Sequence, residues 1–330
     1  LRFGKVPLAA ASGGILAHSV RRDRLIFRKG QVLGPTELAA LGGAGITDVT
    51  VALLEQGDIA ENEAARRVAA AVRGDGVAEG PPATGRVNLF ASHAGLLSFD
   101  PAAVDAVNSV TEDVTLATFP PLAPVEAGRM VATVKIIPFA VPQDSLDRCI
   151  EAARVASIAV HAFRSLSARL IQTVTADLKP SVMAKTSAVT ADRMKRIGGT
   201  VAGETRCPHD VERLTADIAA ALEAGCDLLL VIGASAIVDR RDVIPAAIVA
   251  LGGRIERLGM PVDPGNLILV GDIGGTPVLG LPGCARSPAR NGLDWILERI
   301  AAGFSVTHGI VAGMGVGGLL IGQEEEKDYL

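Results

Sequence analysis

The stretch DLLLVIGASAIVDRRDVIPAAIVALGG (Asp227–Gly253), followed after a short connection by NLILVGDIGGTPVLGLPGCARSP (Asn266–Pro288), decides the fold class. Both segments carry apolar runs that end in glycine-containing turns, and each turn leads toward a helix. Short unbroken apolar runs are what strands buried on both faces look like. A glycine turn between such a strand and a helix brings backbone N–H groups and a helix N-terminus toward one point. That arrangement suits a phosphate-bearing ligand.

The chain has 330 residues, room for two or three domains. Its hydrophobic fraction is 49%, but aromatics make up only 3%, with Trp295 and Tyr329 the sole examples of their types. Recognition of bases by stacking needs more aromatic surface than this. A net charge of −4 gives no reason to expect nucleic acid or an acidic membrane as partner. Cys149, Cys207, Cys226 and Cys284 are scattered, with no C-x-x-C, which points to a reduced cytoplasmic protein. No apolar run approaches a membrane span, and the N-terminal apolar stretch is broken by Gly13 and Gly14, so neither span nor signal peptide is expected. The final QEEEKDYL differs in character from what precedes it and reads as a disordered or non-native tail.

Four segments are expected along the chain. Residues 1–78 read as a small α/β segment: Pro35-Thr36-Glu37 opens a helix, Asp48–Ala52 is a strand, and Glu61–Val72 is an alanine-rich helix with Arg66-Arg67 on its wet side. Residues 79–142 are punctuated by prolines and glycines between short strands such as Met130–Ile137, which suggests a β-rich module, a small barrel or sandwich. Residues 143–305 alternate strands and helices. Thr190 is the expected N-cap of a helix closed by Gly198-Gly199, Asp210 caps the next, and Asn291–Ala302 is the last. Such alternation implies a three-layer α/β/α unit with a mostly parallel sheet. Residues 306–330 read as a connector and tail.

The chemistry-bearing residues lie in the two glycine turns. Gly233 permits close backbone approach, and Ser235 can donate to an oxygen. Asp239 and Asp242 follow, either as groups near a metal or as ordinary acidic caps of a helix N-terminus. Asp272-Ile273-Gly274-Gly275-Thr276-Pro277 is by itself a hairpin. Arg286 pairs with a phosphate or simply faces solvent beside a Pro-Gly turn. Cys284 has no His or Asn partner nearby in sequence and reads as an inert small residue. Cys207-Pro208-His209-Asp210 offers only half a metal site, so it reads as a cap and loop. His18, His93, His161 and His308 show no triad spacing, and neither a Walker loop nor G-x-G-x-x-G occurs.

Taken together, three motifs form a set: Ile232-Gly233-Ala234-Ser235 with Asp239 and Asp242; Pro264-Gly265 with Gly271; and the run from Gly274 to Gly283. From about residue 166 to 303 they resemble the molybdopterin-binding domain of molybdenum-cofactor biosynthesis proteins. That family shows T-G-G-x-S-x-G-D after a strand, then P-G with a later G, then G-G-x-P-V-x-G-L-P-G-N-P. Residues 1–55, with Arg28-Lys29-Gly30 and Leu38–Val51, are also similar to the entry segment of the larger members that insert molybdate into the pterin.

The resemblance implies molybdopterin, or its nucleotide form, as ligand. It implies Thr175, Gly233, Ala234, Ser235, Gly274, Gly275, Pro282, Gly283, Arg286 and Ser287 as binding residues. Asp239 and Asp242 would be the catalytic groups of a molybdopterin molybdotransferase or an adenylyltransferase, with molybdate and Mg2+, and no resident metal site is implied. A non-catalytic module that engages a cytidylyltransferase or a molybdoenzyme is the alternative, and a nucleotide-processing hydrolase a more distant one. Gly313–Leu320 looks like the connector to a cytidylyltransferase module, whose own loop is absent here. Relatives often pair, so a homo-oligomer is expected. Three departures shift the expectation from catalysis toward binding: Thr175-Ala176-Asp177 replaces an acidic T-G-D-E-L turn, Asp263 replaces a lysine, and Cys284 replaces an asparagine. Exchanging a cation for an anion beside a phosphate weakens binding by about 1 kcal/mol or more.

Overall fold

The computed structural model describes residues 1–22 and 25–320. It divides into two compact units, Leu1–His161 and Ala162–Leu330. The tail from Gln323 lies outside the described residues. Among the described residues no helix is long and apolar enough to cross a membrane.

In the first unit, strands Arg2–Pro7, Ile15–Leu16 and Asp48–Leu53 form a three-stranded antiparallel sheet beside the helix Pro35–Gly43. A second core lies under a four-stranded antiparallel sheet of Val114–Thr118, Met130–Ile136, Arg86–Ala91 and Val77–Glu79, in that order. The sheet is open rather than a barrel, because helices Glu61–Val72, Pro101–Asn108 and Gln143–Ala156 cover it. Those helices and strands share one cluster running from Ala64 to Val160. The expected boundaries at 78/79 and 142/143 therefore fall inside a single core. Asp100 caps Pro101–Asn108 by accepting from the Ala102 N–H, and the helix buries Ala103, Val104 and Val107. Arg66 and Arg67 do lie on a wet face, where their hydrogen bonds hold the Glu63 carboxyl down to about 2.

The second unit is built on a six-stranded sheet. Its elements are β1 (Ser167–Val174), α1 (Pro180–Arg196), β2 (Thr200–Pro208), α2 (Val211–Glu223), β3 (Leu228–Ile232), α3 (Val243–Ala250), β4 (Arg254–Leu258), β5 (Leu269–Ile273), β6 (Thr276–Leu281) and α4 (Gly292–Ala301). Strand order is β2-β1-β3-β6-β5-β4. The first four strands run parallel, while β5 is antiparallel to both its neighbours.

Side-chain alternation explains the layers. Leu228, Leu230 and Ile232 point to one face and join Met194, Leu293 and Ile296 from α1 and α4. Leu229 and Val231 point to the other and join Leu214, Ile218, Ile244 and Ile248 from α2 and α3. The result is the expected α/β/α sandwich. Residues 306–320 are part of it rather than a free connector: Val311 and Met314 are buried in the first of these clusters, and the Leu320 N–H donates to the Asp263 carbonyl.

Two local expectations change. Thr190 does not start a helix. It is buried inside α1, whose first helical residue is Pro180, a position where the missing proline N–H costs nothing. The helix does end at Gly198, at φ +72°. The strand β2 is an edge strand with only every second residue drawn inward, and its sequence, TVAGETRCP, carries too little apolar periodicity to mark it.

Leu230 is fully buried at the centre of β3. Leu230→Ala should lower stability by about 2–5 kcal/mol, measured as the shift in urea midpoint with unchanged slope.

Candidate functional site

Strands β1, β2, β3 and β6 all end at the same edge of the sheet. The chain runs from β1 outward to β2, then returns past β1 to β3. The ends of β1 and β3 therefore flank the point where the strand order reverses, which is where open α/β sheets place a crevice.

Three side chains meet there. Thr173, on β1 and fully buried, has its Oγ1 2.9 Å from the Ala234 N–H that donates to it. The same oxygen lies 2.8 Å from His209 Nδ1, just past β2. His209 Nε2 is 3.3 Å from Ser235 Oγ, in the turn after β3. Gly233 at the start of that turn cannot be replaced cheaply, because a Cβ would sit 2.5 Å from the Ser235 carbonyl oxygen. Arg286 crosses from the loop after β6 and donates from Nη2 to the Gly233 carbonyl at 3.0 Å. Its Nε is buried without a partner among the described residues, and burial lowers the guanidinium pKa. The two glycine loops are thus tied to each other by a cation with a donor to spare.

The loop after β6 is held from below by Arg193 of α1. Its guanidinium is buried, pairs with Asp294, and donates to the Ser287 carbonyl and, at 2.9 Å, to the Ala289 carbonyl. Asp294 also accepts the Asn291 N–H at 2.8 Å, while the Asn291 side chain accepts from Leu293 N and donates to the Cys284 carbonyl. Cap, ion pair and loop form one network.

The expected binding residues divide into three groups. Gly233, Ala234, Ser235 and Arg286 are brought together, and Pro282, Gly283 and Ser287 lie on the Arg286 loop. Thr175 sits exposed just past β1, and its carbonyl accepts from the Leu178 N–H. Gly274 and Gly275 are elsewhere. They form the two-residue turn joining β5 to β6, at φ +61° and +92°, as a type I′ hairpin requires. The six residues of β6 separate them from Gly283 by about 20 Å. Their sequence forms the hairpin that its Gly-Gly turn predicts, at the opposite edge of the sheet from the Gly233 turn.

Asp239 and Asp242 are occupied locally. Asp242 caps α3, accepting from Val243 N at 2.8 Å. Asp239 takes both the Arg241 N–H and its guanidinium, which holds its carboxyl below the usual range. Among the described residues no group of three or more His, Cys, Asp or Glu could hold a metal ion. The sequence did not single out Thr173 or Arg193, and it offered His209 only as half a metal site. Strand register brings Thr173 and His209 to the β3 turn, since Thr173 pairs with Cys207 and Gln172 with Ile232.

With this geometry in place, the family comparison bears on the same elements. Residues 178–302 match the family model described as a probable molybdopterin binding domain. That segment holds His209, the Gly233 turn and the Arg286 loop, while Thr173 lies just before its first residue. Residues 5–53 match a domain of unknown function, and a cleft of about 430 Å³ there is lined by Lys5, His18, Arg21 and Arg22. Among solved structures the chain is similar to a molybdopterin biosynthesis moea protein from Pyrococcus horikosii, at 17% identity and TM-score 0.31, covering 91% of this chain and 75% of that one. It is similar to a molybdenum cofactor biosynthesis protein from Pyrococcus furiosus at 12% identity and TM-score 0.26, covering 92% and 66%. It is also similar to the protein CinA, of unknown function, from Thermoplasma acidophilum, at 15% identity and TM-score 0.31, covering 37% and 90%. No curated protein matches the chain at a significant level.

Within the matched segment, Cys284 is half-buried and burial pushes its thiol up, while burial and Asp217 push Cys207 up to about 12. Native protein at pH 8 should therefore react slowly with Ellman's reagent at Cys226 and Cys284, and at Cys149 and Cys207 only after unfolding. A fast-reacting Cys284 would restore it as a nucleophile. Asp294→Ala leaves the Arg193 charge buried and unpaired and should cost about 3–5 kcal/mol, read in the same urea titration as Leu230→Ala.

Proposed function

We propose that the second unit binds molybdopterin, or its nucleotide form, and that the protein acts in molybdenum cofactor biosynthesis. The phosphate would lie over the ends of β1 and β3, against the Gly233–Ser235 turn and the Gly283–Ser287 loop. The hydrogen bond from Arg286 to the Gly233 carbonyl carries this reading. It joins the two loops at the strand-order reversal, and the buried Nε, without a partner among the described residues, leaves the cation with unspent donor capacity. The match of residues 178–302 to a probable molybdopterin binding domain supports the pterin as ligand.

A molybdotransferase acting on molybdate with Mg2+ at this site would use Asp239 and Asp242. Their carboxylates are already engaged by Arg241 and by the α3 N-terminus, which favours binding over insertion. A cytoplasmic homo-oligomer that passes the pterin to a cytidylyltransferase module or a molybdoenzyme completes the proposal.

Wild-type protein titrated with molybdopterin should bind it. Gly283→Asp should abolish binding while leaving the fold intact, because nothing lies within 4 Å of the new Cβ and only the added charge meets the phosphate. Wild-type protein without affinity for the pterin would overturn the reading.

A further inference from the structure

Ser235, His209 and Thr173 stand in the order of a nucleophile, a base and an orienting residue, yet their hydrogen-bond inventory runs the other way. Thr173 Oγ1 accepts from the Ala234 N–H, and its hydroxyl is fully buried. Among the described residues, the one acceptor within reach of that hydroxyl proton is His209 Nδ1, at 2.8 Å. If Nδ1 carried a proton instead, the threonine proton would be left buried with no acceptor, a state that burial penalises. The neutral imidazole then holds its proton on Nε2, which faces Ser235 Oγ at 3.3 Å. Ser235 is exposed and has no other side-chain partner among the described residues, so its own hydroxyl proton points onward.

We infer that Ala234 N–H, Thr173, His209 and Ser235 form a one-way donor chain that ends in a hydroxyl presented to an oxyanion of the ligand, and that His209 does not act as a base toward Ser235. Each bond in such a chain polarises the next, so the terminal hydroxyl is a stronger donor than an isolated serine. Thr173 is a positioning residue that fixes the tautomer. The Ser235 hydroxyl is the group that meets the ligand, and with Arg286 it favours a phosphate-type group with several acceptor oxygens. This rests on the proposed function only for the identity of the anion.

The test is the tautomer of His209 in the full chain, read from long-range 15N–1H correlations of histidine-labelled protein at neutral pH and assigned by loss of the signal in His209→Gln. The expected result is a proton on Nε2 and a bare Nδ1 in the wild type. Inorganic phosphate should shift the Nε2 proton. His209→Ala and Ser235→Ala should each weaken phosphate binding by about tenfold or more, the worth of a hydrogen bond to a charged acceptor. His209→Gln, whose amide N–H occupies the Nε2 position, should keep most of it. A serine-directed fluorophosphonate should leave Ser235 unlabelled. A proton on Nδ1, labelling of Ser235, or phosphate affinity indifferent to His209→Ala would overturn the inference. An Nδ1 proton in a protein that still binds molybdopterin sinks the donor chain and leaves the proposed function standing. An Nε2 proton in a protein that ignores the pterin does the reverse.

Discussion

A guanidinium stripped of its water must regain a counter-charge and acceptors for its N–H groups, and Arg193 finds the charge and acceptors for both of its terminal nitrogens in one place. Its side chain is 1% exposed, and Asp294 supplies the charge. Arg193 Nη2 donates to two carbonyls of the loop that follows β6, while its Nε is buried with no hydrogen-bond partner among the described residues. The cost of burying such a pair is high, and the pair repays it only when the geometry is complete. Loop conformation, helix start and ion pair are therefore linked: Asp294 closes the capping box of α4, and Arg193 cannot keep its partners unless the loop stays where it is. Three of the proposed ligand-binding residues, Gly283, Arg286 and Ser287, owe their placement to this buried charge.

On the other side of the crevice the constraint is neutral rather than ionic. Thr173 is buried at the end of β1, and its hydroxyl is the hub for the β3 turn and for His209. One loop is thus clamped by charge and the other by a hydroxyl, with Arg286 crossing between them. The parallel strands set the spacing, because their register fixes which residues arrive at the sheet edge together.

Much of the second unit was legible because its signals are local. β3 is an unbroken apolar run, Asp210 caps α2, and Gly198 and Gly225 stop helices at positive φ. The helix Glu61–Val72 begins and ends where its periodicity does. What failed depended on partners far away in sequence. The contact between Thr173 and Ala234 spans 61 residues, and that between Arg193 and Asp294 spans 101. No spacing rule along the chain reveals such pairs until strand order is known. His209 looked like half a metal site because its true neighbours come from β1 and β3. Gly274-Gly275 was misplaced for the opposite reason: a local hairpin signal was overruled by a longer motif match that extends across the whole of β6, from one edge of the sheet to the other. Thr190 looked like a cap because its polarity was visible and its burial was not.

The glycines at the two ends of this unit show that one amino acid can be retained for unrelated physical reasons. At Gly274 and Gly275 nothing lies within 4 Å of an added Cβ, and the obstacle is the positive φ alone. The mirror-image residue, D-alanine, would fit this turn with ease. At Gly233 the backbone lies outside the positive-φ region, but a Cβ would overlap the Ser235 carbonyl. The hairpin asks for a chirality that L-residues lack, whereas the site asks for the absence of an atom. An L-alanine at either position is unwelcome, but only at the hairpin would reversing its stereochemistry remove the objection.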